Sequence, residues 1–307
     1  MKNYLITGGC GFIGQHLIKK LLKPNVCIDV IDLTKKNKNL LKSKSINYFL
    51  GDVSEKKVFD RFKKKYLIAF HLAAQTSSRL SELDYTNDIN TNIIGSNNFC
   101  NWAKRNKPSR VVFTSSMSVY GRVANKIKEK DNLNPSSIYG MSKLYSEKIF
   151  ERLNNDKIKV TILRLFNIYG PGQDLKNLNQ GMFSIYLAQA LKSNKINVTG
   201  SLQRYRDFVY IDDTIKAMLI NPKNKKNWIM NVGTGKKTKV SEVISLIKYY
   251  LKNKKIKILQ NKSFFEDTWG SYADNLILKS EGWKVETTIQ KGAELTVNSA
   301  INDKKKN

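Results

Sequence analysis

Short apolar runs alternate with longer segments whose apolar residues recur every three to four positions, and this alternation organises the first two-thirds of the chain. Runs of strand length are Tyr4-Leu5-Ile6, Val26 to Ile31, Ile46 to Leu50, Leu67 to Leu72, Arg110 to Thr114 and Val160 to Arg164. Between them, 15–22, 56–65, 92–106 and 140–154 carry helical spacing. Such alternation predicts a mainly parallel sheet covered on both faces, a doubly wound α/β fold. After Arg164 the rhythm changes. Asn167 to Gly172 reads as a loop leaving the sheet, 181–193 as a helix, and Trp228 to Gly233 as a late return to the sheet. The expected organisation is a main domain of 1–166 plus about 207–232, with a smaller C-terminal lobe of about 167–206 plus 233–301. Residues 302–307 are expected to be a disordered, lysine-rich tail. A cleft between the two parts would lie at the carboxyl ends of the strands, where open α/β sheets bind ligands.

The first strand runs into Thr7-Gly8-Gly9-Cys10-Gly11-Phe12-Ile13-Gly14. Strand, glycine-rich turn and helix in that order form the first half of a dinucleotide-binding βαβ unit. Gly8 or Gly9 permits the tight turn, Gly11 lets backbone approach a pyrophosphate, and Gly14 lets the helix pack closely on the strand. The helix N-terminus attracts the phosphates. Asp32 closes the second strand, where a carboxylate accepts hydrogen bonds from an adenosine ribose and repels a 2′-phosphate. The expected cofactor is therefore NAD rather than NADP. Lys35, Lys36 and Lys38 follow, and read as a solvated loop in preference to a 2′-phosphate site.

Composition narrows the class. No apolar run approaches the roughly 20 residues of a membrane span, and the N-terminus does not read as a signal peptide. Cys10, Cys27 and Cys100 lack metal-ligand spacing and suit a reducing cytoplasm, while His16 and His71 alone make a His-based metal site improbable. The formal net charge of +29 raises the question of nucleic acid. The lysines are scattered over nearly every segment instead of gathered in a patch, so no specific nucleic-acid partner is expected. A positive field would favour anionic small substrates.

Tyr139-Gly140-Met141-Ser142-Lys143 puts a tyrosine and a lysine on one helix face. A phenol with pKa of about 10 is a poor base at neutral pH, and a nearby ammonium is expected to lower that value. Such a tyrosine takes the proton from a substrate hydroxyl as hydride leaves the same carbon. With these residues in view, the chain resembles an extended short-chain dehydrogenase/reductase of the nucleotide-sugar epimerase/dehydratase branch, over about 1–300. The resemblance implies a Rossmann-type sheet with a substrate-binding lobe, NAD, a nucleotide-diphosphate sugar as substrate, and a homodimer formed through helices near 92–106 and 140–154. It implies cofactor contacts from Gly8, Gly11, Phe12, Ile13 and Gly14, from Asp32, and from Asp52 and Val53 of Gly51-Asp52-Val53. Leu72, Ala73 and Ala74 would lie along the cofactor, and Lys143 would also hold the nicotinamide ribose. Asn92 matches a further motif, with a structural role.

The segment before the catalytic tyrosine discriminates among activities. The resemblance implies that Ser116 bonds the sugar 4-hydroxyl beside Tyr139. Dehydratases of the family carry Asp and Glu at the next two positions, where this chain has Met117 and Ser118. A thioether cannot protonate a leaving hydroxyl, so 4,6-dehydration is disfavoured. Asn167 and Arg206 resemble the residues that meet the sugar diphosphate, a task suited to guanidinium donors. An ion pair of Arg206 with Asp207 or Asp212 is the structural alternative, and Asp212 and Asp213 read as a helix cap. The family's second diphosphate arginine has no counterpart around Phe265 to Tyr272, and no arginine follows Arg206. The expected function is a cytoplasmic 4-epimerase with resident NAD and a UDP-glucose/UDP-galactose-like substrate. Its rivals are a reductase or dehydratase acting on a nucleotide-linked 4-keto sugar, and a non-catalytic NAD- or RNA-binding member.

Overall fold

A computed structural model describes residues 1–35, 40–155, 157–179, 181–224, 228–261 and 270–306. In chain order, the first half contains β1 (Lys2–Thr7), α1 (Phe12–Leu21), β2 (Val26–Asp32), β3 (Ile46–Leu50), β4 (Ile68–His71), α2 (Ser78–Leu83), α3 (Tyr85–Asn87), α4 (Gly95–Asn106), β5 (Arg110–Ser116), β6 (Asn125–Ile127) and α5 (Ile138–Glu151). There follow β7 (Lys159–Leu165), β8 (Asn167–Tyr169), α6 (Met182–Ser193), β9 (Lys195–Thr199), β10 (Tyr205–Arg206), β11 (Phe208–Tyr210) and α7 (Ile211–Leu219). The last elements are β12 (Ile229–Val232), β13 (Thr238–Lys239), α8 (Val240–Tyr250), β14 (Lys257–Asn261), β15 (Ser271–Ala273), α9 (Leu276–Ser280) and α10 (Ile289–Lys306). No helix among the described residues is long and apolar enough to cross a membrane.

Seven strands form one parallel sheet in the order β12-β7-β5-β4-β1-β2-β3. The order in which strands are added reverses at β1, which pairs with β2 on one side and β4 on the other. That reversal is the switch point where loops diverge and leave room for a ligand. The strands are apolar on both faces because helices cover both; β5, for example, is buried over its whole length. Aromatic rings fill the space beside β4 and β5. Phe113 stacks on Phe150 at 4.3 Å, and Phe59, Phe99 and Trp102 pack with them, the indole N–H donating to the Phe62 carbonyl at 2.8 Å.

The chain divides into two compact units: Met1–Gly121 with Asn132–Arg164 and Asn221–Met230, and Arg122–Asp131 with Leu165–Ile220 and Asn231–Asn307. These boundaries depart from the expected ones. The stretch 207–220 clusters with the second unit because β11 pairs with β8 and α7 packs on both. Residues 122–131 join it because β6 pairs with β15. The expected disordered tail is instead the end of α10, which continues to Lys306, with Lys304 Nζ donating to the Leu191 carbonyl at 3.1 Å. The helix expected at 56–65 is a single 3-10 turn, Lys56–Phe59. The segment before α4 is an irregular wide turn, Asp88–Ile94, running on from α3.

Candidate active site

The glycine loop closes around its own backbone on every side but one. A Cβ on Gly8, whose φ is +70°, would meet Ala73 N at 2.6 Å, so this loop and the Leu72–Ala73 backbone touch at the switch point. A Cβ on Gly14 would lie 2.5 Å from Gly9 Cα. One on Gly11 would meet only Gly8 O, at 3.3 Å. The loop is therefore packed behind and open at Gly11. Gly11 is the N-cap of α1 without a side-chain cap, and the first turn carries no acidic residue. The amides of Phe12 and Ile13 belong to the turn that an α-helix cannot satisfy internally, which is an anion-binding arrangement.

Asp32 ends β2 beside this loop, its Oδ2 accepting from Cys10 N at 2.9 Å and its Oδ1 from Thr34 N at 3.2 Å. Burial raises its carboxyl above the usual range and the backbone donors oppose that. Asp52 holds the turn after β3, accepting from Ser54 N at 2.8 Å, and Val53 is buried beneath. Thr7 Oγ1 contacts His71 Nδ1 at 2.8 Å and accepts from Ala73 N at 3.4 Å, tying β1 to the strand that delivers Leu72, Ala73 and Ala74. His71 is pushed down to about 3 by burial and then by Lys143, so its ring is neutral. An open-edged glycine turn, uncapped helix amides and a terminal strand carboxylate fit the pyrophosphate and ribose of a dinucleotide. Lys36 and Lys38 lie outside the described residues.

Ser116 ends β5, and Tyr139 and Lys143 lie on α5, which Ser137 caps by accepting from Gly140 N at 3.1 Å. The Ser116 hydroxyl faces Tyr139 and favours its phenolate. Ser116 Oγ also lies 3.1 Å from Ser118 Oγ and accepts from Ser118 N at 3.1 Å, capping the 3-10 turn that carries Met117. Lys143 is buried, its Nζ 4.3 Å from the centre of the Phe113 ring. Burial pushes Lys143 down to about 7, against the pull of Glu147 and Asp88. Taken over all its surroundings, Tyr139 is raised and not depressed as the spacing alone led one to expect. Burial holds the phenol up at about 12, the Ser116 hydrogen bond pulls it down and Asp88 adds to the rise. A desolvated phenolate loses more than these neighbours return.

Several polar residues support this pair, and apart from Asn92 they did not stand out in the sequence. Asn92 donates to Asp88 Oδ1 at 3.1 Å and to Ser142 Oγ at 2.9 Å, and accepts from Gln75 N at 2.9 Å, a structural hub as expected. Glu147 accepts from Ser115 Oγ and from Arg164. A lone arginine in an apolar strand and a glutamate four positions after Lys143 were the available signals.

In the second unit, Asn167 lies on β8, which pairs with β11, and Arg206 ends β10, two residues before β11 and paired with β13. Asn167 Nδ2 donates to the Asp207 carbonyl at 3.1 Å, next to Arg206, whose Nη1 donates to the Tyr205 carbonyl at 2.8 Å. Asp207 is committed elsewhere: it accepts from Thr234 N and Oγ1, Gly235 N and Ala273 N. Asp213 lies in the first turn of α7 and, instead of capping it, accepts from Glu286 N and Thr287 N. Residues 262–269, most of the region without the second arginine, lie outside the described residues. Among the described residues no cluster of His, Cys, Asp and Glu could hold a metal.

A parallel sheet with a phosphate-type turn at its switch point and a Tyr/Lys/Ser cluster at the end of β5 defines a nucleotide-dependent redox fold. The chain belongs to the NAD-dependent epimerase/dehydratase family, whose model matches residues 4–233. It is 34% identical over 301 residues to a putative UDP-glucose 4-epimerase of Methanocaldococcus jannaschii, covering 96% of this chain and 97% of the relative. It is 28% identical over 316 residues to a dTDP-4-dehydro-6-deoxyglucose reductase of Escherichia coli, covering 96% of each. The structure matches that of UDP-glucose 4-epimerase of Thermotoga maritima with UDP-glucose, at a TM-score of 0.90 and 27% identity, over 98% of this chain and 99% of that one.

Proposed function

We propose that the chain is a nucleotide-sugar 4-epimerase that keeps NAD bound and acts on a UDP-glucose/UDP-galactose-like substrate. The observation that carries this reading is Ser116 facing Tyr139 with Lys143 buried on the same helix, followed by Met117 and Ser118, which cannot serve as an acid and a base for dehydration. The glycine loop, with Gly8, Gly11, Phe12, Ile13 and Gly14, receives the pyrophosphate. Asp32 binds the adenosine ribose, Asp52 and Val53 the adenine, and Leu72, Ala73 and Ala74 flank the cofactor. When bound, NAD supplies a hydride acceptor and a pyridinium charge.

Tyr139 takes the proton of the sugar 4-hydroxyl, with Ser116 holding that oxygen in line. Lys143 gives the developing phenolate a positive neighbour and binds the nicotinamide ribose. With the C4 hydride passed to the bound cofactor, C4 would be a planar ketone whose configuration is set by the face that takes hydride back, while Tyr139 returns the proton to the 4-oxygen. Arg206 and Asn167 grip the nucleotide diphosphate, and the sugar is held loosely enough to turn. Ile89, Ile94, Met141 and Tyr145 are exposed on the wide turn and α5, an apolar face suited to a homodimer. Three buried free cysteines suit a cytoplasmic enzyme.

A reductase of nucleotide-linked 4-keto sugars is the second reading, favoured by the Escherichia coli relative named as a reductase. Asp32 opposes the NADPH such enzymes often use. Incubation with a panel of UDP-, dTDP-, GDP- and CDP-sugars, without added cofactor and with products resolved by NMR, separates the two. Inversion at C4 is expected. If no sugar is inverted while added NAD(P)H is consumed, the reductase reading replaces this one.

A further inference from the structure

A buried ion pair lies one helical turn from Lys143, and the proposed chemistry gives it no task. Glu147 is fully buried and accepts from Ser115 Oγ, from Arg164 Nε at 3.0 Å and from Arg164 Nη2 at 2.7 Å. Arg164 is 2% exposed, and its Nη1 donates to the Tyr120 hydroxyl at 2.9 Å. The pair thus joins α5, β5, β7 and the 3-10 turn after β5. Buried ion pairs are weak contributors to stability and can commonly be replaced by apolar residues of like volume. Stability alone is a poor reason for this one.

Lys143 and Glu147 are four apart on α5 and share a buried face. The other groups facing Lys143 are His71 on β4, Asp88 on the wide turn, Tyr139 on its own helix and the Phe113 ring on β5. His71 is neutral, and Asp88 is bonded to Gln75, Asn92 and Ser142. Burial favours the neutral amine of Lys143, which could not stabilise a phenolate. Of the charges that oppose this, Glu147 is the largest.

We propose that Glu147 is a positioning residue for the reaction: clamped by Arg164 and Ser115, its carboxylate keeps the side chain of Lys143 protonated within a site that otherwise discharges it. Its bearing on catalysis rests on the epimerase reading; the effect on Lys143 does not. Arg164 and Ser115 hold the carboxylate in place.

The test uses the full chain with 13C-labelled lysine. The Cε resonance of Lys143, assigned by its loss in Lys143→Met, is followed from pH 5.5 to 9.5, together with the pH profile of kcat/KM. Glu147→Gln is expected to lower the Lys143 midpoint by about 1 pH unit or more, and Glu147→Asp to restore most of it. An unmoved midpoint in Glu147→Gln overturns the proposal. Should that variant fail to fold, Glu147→Gln is made in an Arg164→Met background and compared with Arg164→Met alone; a midpoint lowered relative to that background supports the proposal and an unmoved one overturns it. A lowered midpoint in a protein that turns over no nucleotide sugar sinks the epimerase reading and leaves this inference standing. Normal turnover with an unmoved midpoint does the reverse.

Discussion

Gly11 and Gly14 lie three residues apart in one loop, yet the space around them separates stability from cofactor binding. A methyl group on Gly14 would come within 2.5 Å of Gly9 Cα and 2.6 Å of the Gly8 and Gly9 carbonyl oxygens. Ordinary carbon contacts are about 3.5–4.0 Å, so loop or helix must move by roughly 1 Å. The obstacle is backbone, which cannot rotate aside, and overpacking of this kind costs about 1–3 kcal/mol. At Gly11 a methyl group meets only Gly8 O at 3.3 Å, and φ −72°, ψ 176° suits alanine. The reduced freedom of the unfolded chain gains about 0.4–1 kcal/mol there, and the weaker N-cap returns a similar amount. Gly11→Ala should therefore stay within about 0.5 kcal/mol of the parent in urea unfolding. Gly14→Ala should lose about 1–3 kcal/mol, a fall in midpoint of roughly 0.3–1 M at an m-value of about 3 kcal/mol/M. NAD titration by calorimetry should then invert the ranking. Gly11→Ala, whose methyl group stands at the open edge, is expected to lose about tenfold or more in affinity. Equal loss of stability in the two variants, or unchanged NAD affinity in Gly11→Ala, would refute the assignment of the open edge.

Three further outcomes are expected. Lys143 titrates at about 7 when folded against 10.5 in the unfolded chain, so between those values the unfolded chain binds the extra proton and stability rises with pH. The burial penalty is then fully present below pH 7, and Lys143→Met should stabilise by up to about 5 kcal/mol at pH 6 and by nothing at pH 11; a pH-independent difference in urea midpoints speaks against it. Asp32→Ala should shift the ratio of NAD to NADP affinity toward NADP by roughly tenfold to a hundredfold, since it removes charge-assisted hydrogen bonds worth about 1.5–3 kcal/mol; an unchanged ratio in parallel titrations would place the ribose elsewhere. Asp207→Ala leaves the donors of Thr234, Gly235 and Ala273 without their carboxylate, and a loss of about 3 kcal/mol or more is expected in denaturant unfolding.

The parallel sheet was legible because most of its strands are buried along nearly their whole length and helical periods fall between several of them, two signals that reinforce one another. The glycine loop and the Tyr139/Lys143 spacing were legible because they are local in sequence. What escaped was set by distant partners. The end of the chain reads as a polar tail because Lys304, Lys305 and Lys306 look solvated, whereas helix propagation and the Leu191 carbonyl carry the helix onward. The 207–220 stretch was assigned to the main sheet because its apolar pattern matches a strand and helix, and pattern does not reveal that β8 is the partner. The pKa of Tyr139 was misjudged because a spacing of four shows the lysine and hides the depth of burial. Glu147 and Arg164 stand 17 positions apart, and only the fold pairs them.

The path of the chain through its two units has a consequence for how the protein can be built and broken. It passes from one unit to the other at 121/122, 131/132, 164/165, 220/221 and 230/231. Neither unit is a continuous stretch of polypeptide, so neither can be excised as a fragment by choosing two end points. A protease nick at 131/132, 164/165 or 220/221 would leave two pieces that each hold segments of both units, and one at 121/122 or 230/231 would still split one unit between the pieces. Synthesis must also reach β12 before the seventh strand of the sheet exists. The two units are thereby inherited, expressed and lost together.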